Sequence, residues 1–209
     1  MRGIVQTNSV EPSKAFDSKE ETLSILLGCN LLLNINGKAI GDPIEVAMFK
    51  EVRGKLEKSE VTCEKKKKTR IFPIRKYQFK SSLKRMTVLA RVYSGVYQKI
   101  HYNRILCKGA PETIKTLLKE VPENYDESYR KWANEGYRIL ALAYADNEKF
   151  DYNTKREDLE KDLIFCGISS VETPLKSSVT KYITELIKAK YGLCIITGDH
   201  LLTTSKISN

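Results

Sequence analysis

No Cys-x-x-Cys pair occurs in this 209-residue chain, and its five cysteines, Cys29, Cys63, Cys107, Cys166 and Cys194, are scattered singly. An odd, unclustered set argues against a disulfide framework and a zinc site, and fits reduced thiols in a reducing compartment. Histidine is scarcer still. His101 and His200 are the whole complement, too few and too separated for a His-based metal centre, so no metal ligands are assigned. Long hydrophobic runs are missing too: the longest, "LSILLGCNLLLNI", is interrupted by Gly28 and Asn30. It falls short of the roughly 18 to 20 residues of a membrane helix. The opening "MRGIVQTNSV" has no apolar h-region, so no signal peptide is expected. Neither G-x-x-x-x-G-K-[ST] nor G-x-G-x-x-G is present, which leaves a P-loop or Rossmann dinucleotide site unsupported. No Ser/His/Asp set with a local signature stands out either.

What is present is positive charge. The formal balance is +10, with 41% hydrophobic and 30% charged residues, the texture of an ordinary globular chain whose preferred partner is anionic. The densest cluster is "EKKKKTR", Glu64 to Arg70. No aromatic residues interleave with the lysines, so a solvated loop is favoured over a stacking platform for nucleic acid. A basic nucleic-acid-binding module using Lys65 to Lys68 is the alternative; it lacks the aromatic-rich strand motif of RNA recognition.

Along the chain, residues 1 to 17 read as irregular, and "SKEE" starts a helix at Ser18 with Glu21 as the capping acid. Asn36-Gly37 between short apolar runs marks a tight hairpin. In "GDPIEVAM", Asp42 is an N-cap, Pro43 suits the first helical position and Glu45 completes a capping box. From Arg70 the runs "RIFPIRKYQF", "RMTVLARVY" and "YNRILC" are β-branched and aromatic, as consecutive antiparallel strands should be. "APETIKTLLKEV" is expected to be a helix ended by Pro122, and "DESYRKWANEGY" another, stopped at Gly136. "RILALAYAD" returns as a strand and "KREDLEKDL" as a polar helix. Beyond residue 163, "IFCGISSV", "KSSVTKYITELIKAK", "GLCIITGDH" and "LLTTSKIS" alternate strand and helix, as in a parallel βαβα unit. This unit has too few strands to close a core and is expected to be a piece of a larger domain. The expected organisation is residues 1–162 as one domain and 163–209 as a partial second one, with an α+β fold: an antiparallel sheet flanked by helices, then a Rossmann-like α/β segment.

Four polar islands sit among the apolar strands: "GDPIEVAM", "YQFKSSLKRMTVLA", "CKGAPET" and "EGYRILALAYAD". Singly each has a structural reading. Glu45 caps a helix, Phe79 is core, and Lys84 is a solvated strand-end charge. In this order and spacing they resemble the nucleotide-binding (N) domain of P-type ATPases, followed by part of the phosphorylation domain. "KGAPE" is the most specific element and "ITGDH" strengthens it. "FKSSLKRMTVLA" with "KGAPETI", and "SSVETPLKSSV" before "ITGDH", look most like the endoplasmic-reticulum branch of the fifth class. Ala110 also favours that branch, since the endolysosomal branch usually has serine there.

The resemblance implies an ATP-binding cytosolic domain of a cation-transporting or translocating ATPase in a membrane, in this branch that of the endoplasmic reticulum. Phe79 would stack on adenine with Lys84 adding charge beside it, and Glu45 would hydrogen-bond near the base. Lys108 and Arg138 would reach the phosphates. Gly109 would let the backbone come close to the ligand, and Leu140 would supply an apolar wall. Thr197, Gly198 and Asp199 match a phosphorylation-domain motif that supports the phosphate-bearing site. ATP is the implied ligand, with Mg2+ in the full-length enzyme, and the implied partners are the remaining phosphorylation, actuator and transmembrane domains.

There are departures from the family pattern. Ser81 stands where an arginine often follows the aromatic residue, and Thr173-Pro174-Leu175-Lys176 replaces Asp-Pro-Pro-Arg. Asp-Lys-Thr-Gly-Thr, Gly-Asp-Gly-x-Asn-Asp and Thr-Gly-Glu-Ser occur nowhere. The chain is therefore expected to bind ATP without an acceptor for its γ-phosphate, and to be inactive alone. A free-standing haloacid-dehalogenase-type hydrolase is disfavoured for the same reason, the lack of a nucleophilic aspartate at a strand end.

Overall fold

The structure, a computed structural model, describes residues 3–5, 19–58, 60–63, 69–94, 100–147, 154–171 and 178–196. Its centre is an eight-stranded sheet in the order β1-β10-β9-β8-β7-β6-β5-β4, antiparallel at every pairing. The strands are β1 (Gly3–Val5), β4 (Gly54–Leu56), β5 (Val61–Cys63), β6 (Arg70–Lys80), β7 (Arg85–Ser94), β8 (Ile100–Gly109), β9 (Arg138–Asn147) and β10 (Ile164–Val171). A separate hairpin joins β2 (Leu33–Ile35) to β3 (Lys38–Ile40). The helices are α1 (Glu20–Gly28), α2 (Pro43–Glu51), α3 (Pro111–Lys115), α4 (Tyr125–Asn134), α5 (Arg156–Leu159) and α6 (Val179–Lys188). The α+β class expected from the sequence is the observed one.

The long strands follow from the apolar alternation. On β7, Met86, Val88, Ala90 and Val92 pack with Leu106 and Leu142 under α1 and α2. Leu89, Ile105, Cys107, Ala141 and Ala143 point the other way, into a second core with Ile114, Tyr125, Leu159 and Leu163. The central strands β7, β8 and β9 are thus buried on both faces, and helices cover each. Asn36 and Gly37 both have positive φ, 51° and 79°, the turn whose twist matches a two-residue hairpin. Asp42 accepts from the backbone N–H groups of Ile44 and Glu45, and Pro43 opens α2.

Several expectations are corrected. Residues 3–5 are a strand rather than irregular chain, with Gly3 opposite Ser170. The helix begins at Glu20 after Lys19, which makes no side-chain cap; the expected cap, Ser18, lies outside the described residues. The helix expected over 110–121 stops at Lys115 because Leu118 turns to bridge Leu163, with backbone bonds of 2.9 Å on either side. "KREDLEKDL" forms only the short α5.

The main correction concerns "IFCGISSV". It is β10, antiparallel to both β9 and β1, rather than the first strand of a parallel unit. Residues 167–171 are buried throughout, so the run lacks the alternation of a half-exposed strand and imitates a parallel one. The sheet therefore continues past the division placed before residue 163. The helix expected after it is present as α6, but the described part of "GLCIITGDH", residues 192–196, has no strand pairing. Tyr182, Ile183, Leu186 and Ile187 on α6 are exposed. Residues 64–68, 172–177 and 197–209 lie outside the described residues. With them go the readings of the lysine run, of Thr173 to Lys176, of Thr197, Gly198 and Asp199, and of the last helix.

Candidate functional site

Strand register gathers the expected residues at one end of the sheet. Arg85 of β7 lies opposite both Lys80 of β6 and Gly109 of β8, and Gly109 lies opposite Ala141 of β9. The end of β6 with Phe79, the turn with Lys84, the end of β8 with Lys108 and the start of β9 with Arg138 and Leu140 therefore converge. Lys108 pairs with Met86 and with Leu142, so alternation places Arg138 and Leu140 on the face Lys108 occupies. Leu140 packs against the core on that side.

Phe79 is not core. It is 57% exposed, although large aromatic side chains on strands are usually covered. Its placement comes from an irregularity: Tyr77 pairs with Thr87 and Lys80 with Arg85, so β6 carries one more residue than β7 between these pairs. Such a bulge re-aims side chains. The turn that follows is held by Leu83 and Lys84 N–H groups on the Lys80 carbonyl, at 3.0 and 2.8 Å. Lys84 has φ 46°, a conformation few non-glycine residues adopt, and its exposed ammonium is 3.9 Å from Glu112.

Lys108 is 6% exposed and donates to Glu45 Oε1 at 2.8 Å. The other Glu45 oxygen accepts from the Leu31 backbone N–H at 2.9 Å. Glu45 thus ties α2 to β8 and to the loop after α1, and the capping-box role read from sequence is not the one its side chain plays. Lys76, which the sequence reading did not single out, belongs to the same group of charges. Desolvation lowers its pKa below the usual lysine value, against the upward pull of the Glu45 carboxylate. Its signal was present as strand alternation, since Lys76 pairs with Val88 on the face of Met86 and Lys108. Cys29 sits behind them, its thiol donating to the Met86 carbonyl at 3.6 Å. Burial pushes that thiol up to about 12, so it stays protonated and unreactive at neutral pH.

Gly109 is required by packing. A Cβ there would meet the Lys84 carbonyl oxygen at 2.6 Å and Arg85 Cβ at 2.7 Å. The close approach it permits is therefore to the β6–β7 turn, where Ala110 N–H donates to the Lys84 carbonyl at 3.0 Å. Pro111 then opens α3. Chemically the sheet end offers an exposed aromatic face, several cations and one hydrogen-bonding carboxylate. Among the described residues no three His, Cys, Asp or Glu side chains cluster as metal ligands.

Fold and site together define a cytoplasmic domain class: the chain belongs to the P-type ATPases, and the family model for "P-type ATPase, cytoplasmic domain N" matches residues 20–178. Its relatives narrow the branch. It is 31% identical over 216 residues to a probable manganese-transporting ATPase, PDR2, of Arabidopsis thaliana, covering 99% of this chain and 18% of that protein. It is 30% identical to the endoplasmic reticulum transmembrane helix translocase of Saccharomyces cerevisiae, with 93% and 16% covered. A probable cation-transporting ATPase 13A4 of Gallus gallus is 28% identical, with 86% and 16% covered. These are the fifth-class enzymes that the motifs resemble. The chain spans less than a fifth of the length of these relatives. Neither the family match nor the relatives support the nucleic-acid alternative.

Proposed function

We propose that this domain binds ATP at the sheet end formed by β6, β7, β8 and β9, and presents its γ-phosphate to an aspartate elsewhere in the parent enzyme. The observation that carries this is the exposed Phe79 and the buried Lys108–Glu45 pair gathered at one end of the sheet. Phe79 offers a face for adenine with Lys84 adding charge beside it, and Lys108 and Arg138 offer charge to a polyanion. Leu140 forms an apolar wall beside them. The exposed aromatic and the cations fit a nucleotide. The described residues contain no carboxylate cluster for Mg2+, so the ion would arrive on the phosphates and no side chain is assigned to it. The domain's contribution is binding and orientation, and the chemistry falls to the phosphorylation domain.

In the parent enzyme the nucleotide would act with the phosphorylation, actuator and transmembrane domains to drive a translocation cycle, with this domain on the cytosolic side of an endoplasmic-reticulum membrane. The division into residues 1–162 and a phosphorylation-domain segment 163–209 remains a proposal, and the pairing of β10 (Ile164–Val171) with β9 favours starting that segment after Val171. Thr197, Gly198 and Asp199 retain their proposed supporting role in that segment.

Titration of the 209-residue chain with adenosine, ADP and ATP, followed by NMR shifts or calorimetry, tests the reading. Binding in the high micromolar to millimolar range is expected, roughly −4 to −6 kcal/mol. An absence of saturable binding at several millimolar nucleotide would overturn it.

A further inference from the structure

The proposed adenine platform stands on a turn, and what holds that turn is a buried ion cluster from a distant part of the chain. Arg156, at the start of α5, places its guanidinium against both sides of the turn. Its Nη1 donates to the Gln78 carbonyl at 3.2 Å, and its Nη2 to the Arg85 carbonyl at 3.0 Å. Gln78 immediately precedes Phe79, and Arg85 immediately follows Lys84. The extra residue in β6 interrupts the ladder at Gln78 and Phe79, and Arg156 supplies the Gln78 carbonyl with a donor.

Arg156 is itself fixed. Its Nε donates to Glu160 Oε1 at 2.7 Å, one helical turn away. Glu160 also accepts from Arg85 Nε at 2.8 Å and Nη2 at 2.7 Å, and from the Thr87 hydroxyl. The Glu160 side chain is 1% exposed, and those of Arg156 and Arg85 are 9% and 15%. Planar guanidinium forks on a buried carboxylate hold geometry better than a flexible ammonium can.

We infer that Arg156 and Glu160 are positioning residues for nucleotide recognition, setting the bulge and turn that aim Phe79 and place Lys84. This rests on the nucleotide reading above and adds residues to which that reading assigns no ligand contact. A merely structural cluster would stabilise the whole domain without preference among ligands. A positioning cluster acts on the base more than on the phosphates, because Lys108 is fixed separately through Glu45.

The experiment compares the 209-residue chain with Arg156→Lys and Arg156→Gln, titrating adenosine and inorganic tripolyphosphate and following amide hydrogen exchange. In Arg156→Lys, adenosine binding should weaken about tenfold, the size of a partly lost stacking contact. Tripolyphosphate binding should change less than twofold, and exchange should quicken at residues 80–85 while β8 and β9 keep their protection. Adenosine affinity within twofold of the parent in whichever variant folds overturns the inference. So does an equal loss for both ligands, or failure of both variants to fold, since either makes the cluster a support of the whole domain. If the parent chain binds no adenosine, the nucleotide reading fails first, and the two failures are told apart by that measurement.

Discussion

Lys108 and Glu45, 63 residues apart in sequence, meet at 2.8 Å with both side chains nearly out of solvent. The ammonium is therefore committed to a carboxylate before any ligand arrives. A nucleotide bound as proposed would have to share this pair or reorganise it, an electrostatic threshold that an open cluster of lysines would lack.

Removing Lys108 alone leaves a buried, uncompensated carboxylate. Lys108→Ala should destabilise the chain by about 3 kcal/mol, and Lys108→Met with Glu45→Leu should recover most of the loss. Denaturant unfolding of the three proteins checks this, and a double variant no better than the single one counts against it. Lys108→Ala should also weaken ATP more than adenosine, by a margin that shrinks as salt rises. Equal losses for the two ligands would leave its phosphate role without support.

Phe79→Ala tests the stacking surface. With the side chain more than half exposed, stability should change by less than about 0.5 kcal/mol. Affinity for adenosine, ADP and ATP should fall alike, by about 1 to 3 kcal/mol. A large loss of stability with unchanged binding would return Phe79 to the core.

Gly109→Ala places a methyl group against backbone, which cannot step aside as a flexible side-chain end can. The Lys84 carbonyl and Arg85 must shift, at about 1 to 3 kcal/mol. Unfolding experiments should show that loss, and NMR shifts should locate the disturbance in residues 80–85. A neutral substitution would mean the turn yields freely.

Acid should act through Glu160. Burial raises its pKa, but hydrogen bonds from Arg85, Thr87 and Arg156 outweigh burial and hold the carboxyl below its ordinary 4.5. A depressed folded pKa contributes stability that is whole above the unfolded value and is lost as pH falls from there through the folded one. Glu160→Gln should therefore cost about 3 kcal/mol at neutral pH, by leaving two buried arginines uncompensated. It should also flatten the decline below about pH 5. Parallel stability curves for parent and variant would remove Glu160 from the acid transition.

What could be read from sequence was local chemistry. Asn36-Gly37 dictates a turn, Asp42-Pro43 a helix start, and the β-branched runs their strands, because each depends on neighbours within a few residues. Phe79, Lys84, Lys108 and Arg138 were named together through family resemblance alone, and their meeting at one sheet end follows from register. The direction of β10 was not legible, since a strand buried on both faces has the same apolar pattern in either orientation. Nor was the Arg156–Glu160 cluster, whose partners on β6 and β7 lie 71 to 78 residues away. A charged one-turn helix looks like solvated surface until the sheet is assembled beneath it.

The pairing of β1 with β10 has a mechanical side. The chain enters the sheet at Gly3 and leaves it at Val171, on neighbouring strands, with Gly3 opposite Ser170 and Val171 opposite Arg138. Both crossings lie at the end where Phe79 and Lys108 gather. A neighbouring body attached through the two segments would grip the domain at a single edge, as a door is held by its jamb. Rotation there would carry the proposed nucleotide site along a short arc, because the pivot and the site share one end of the sheet.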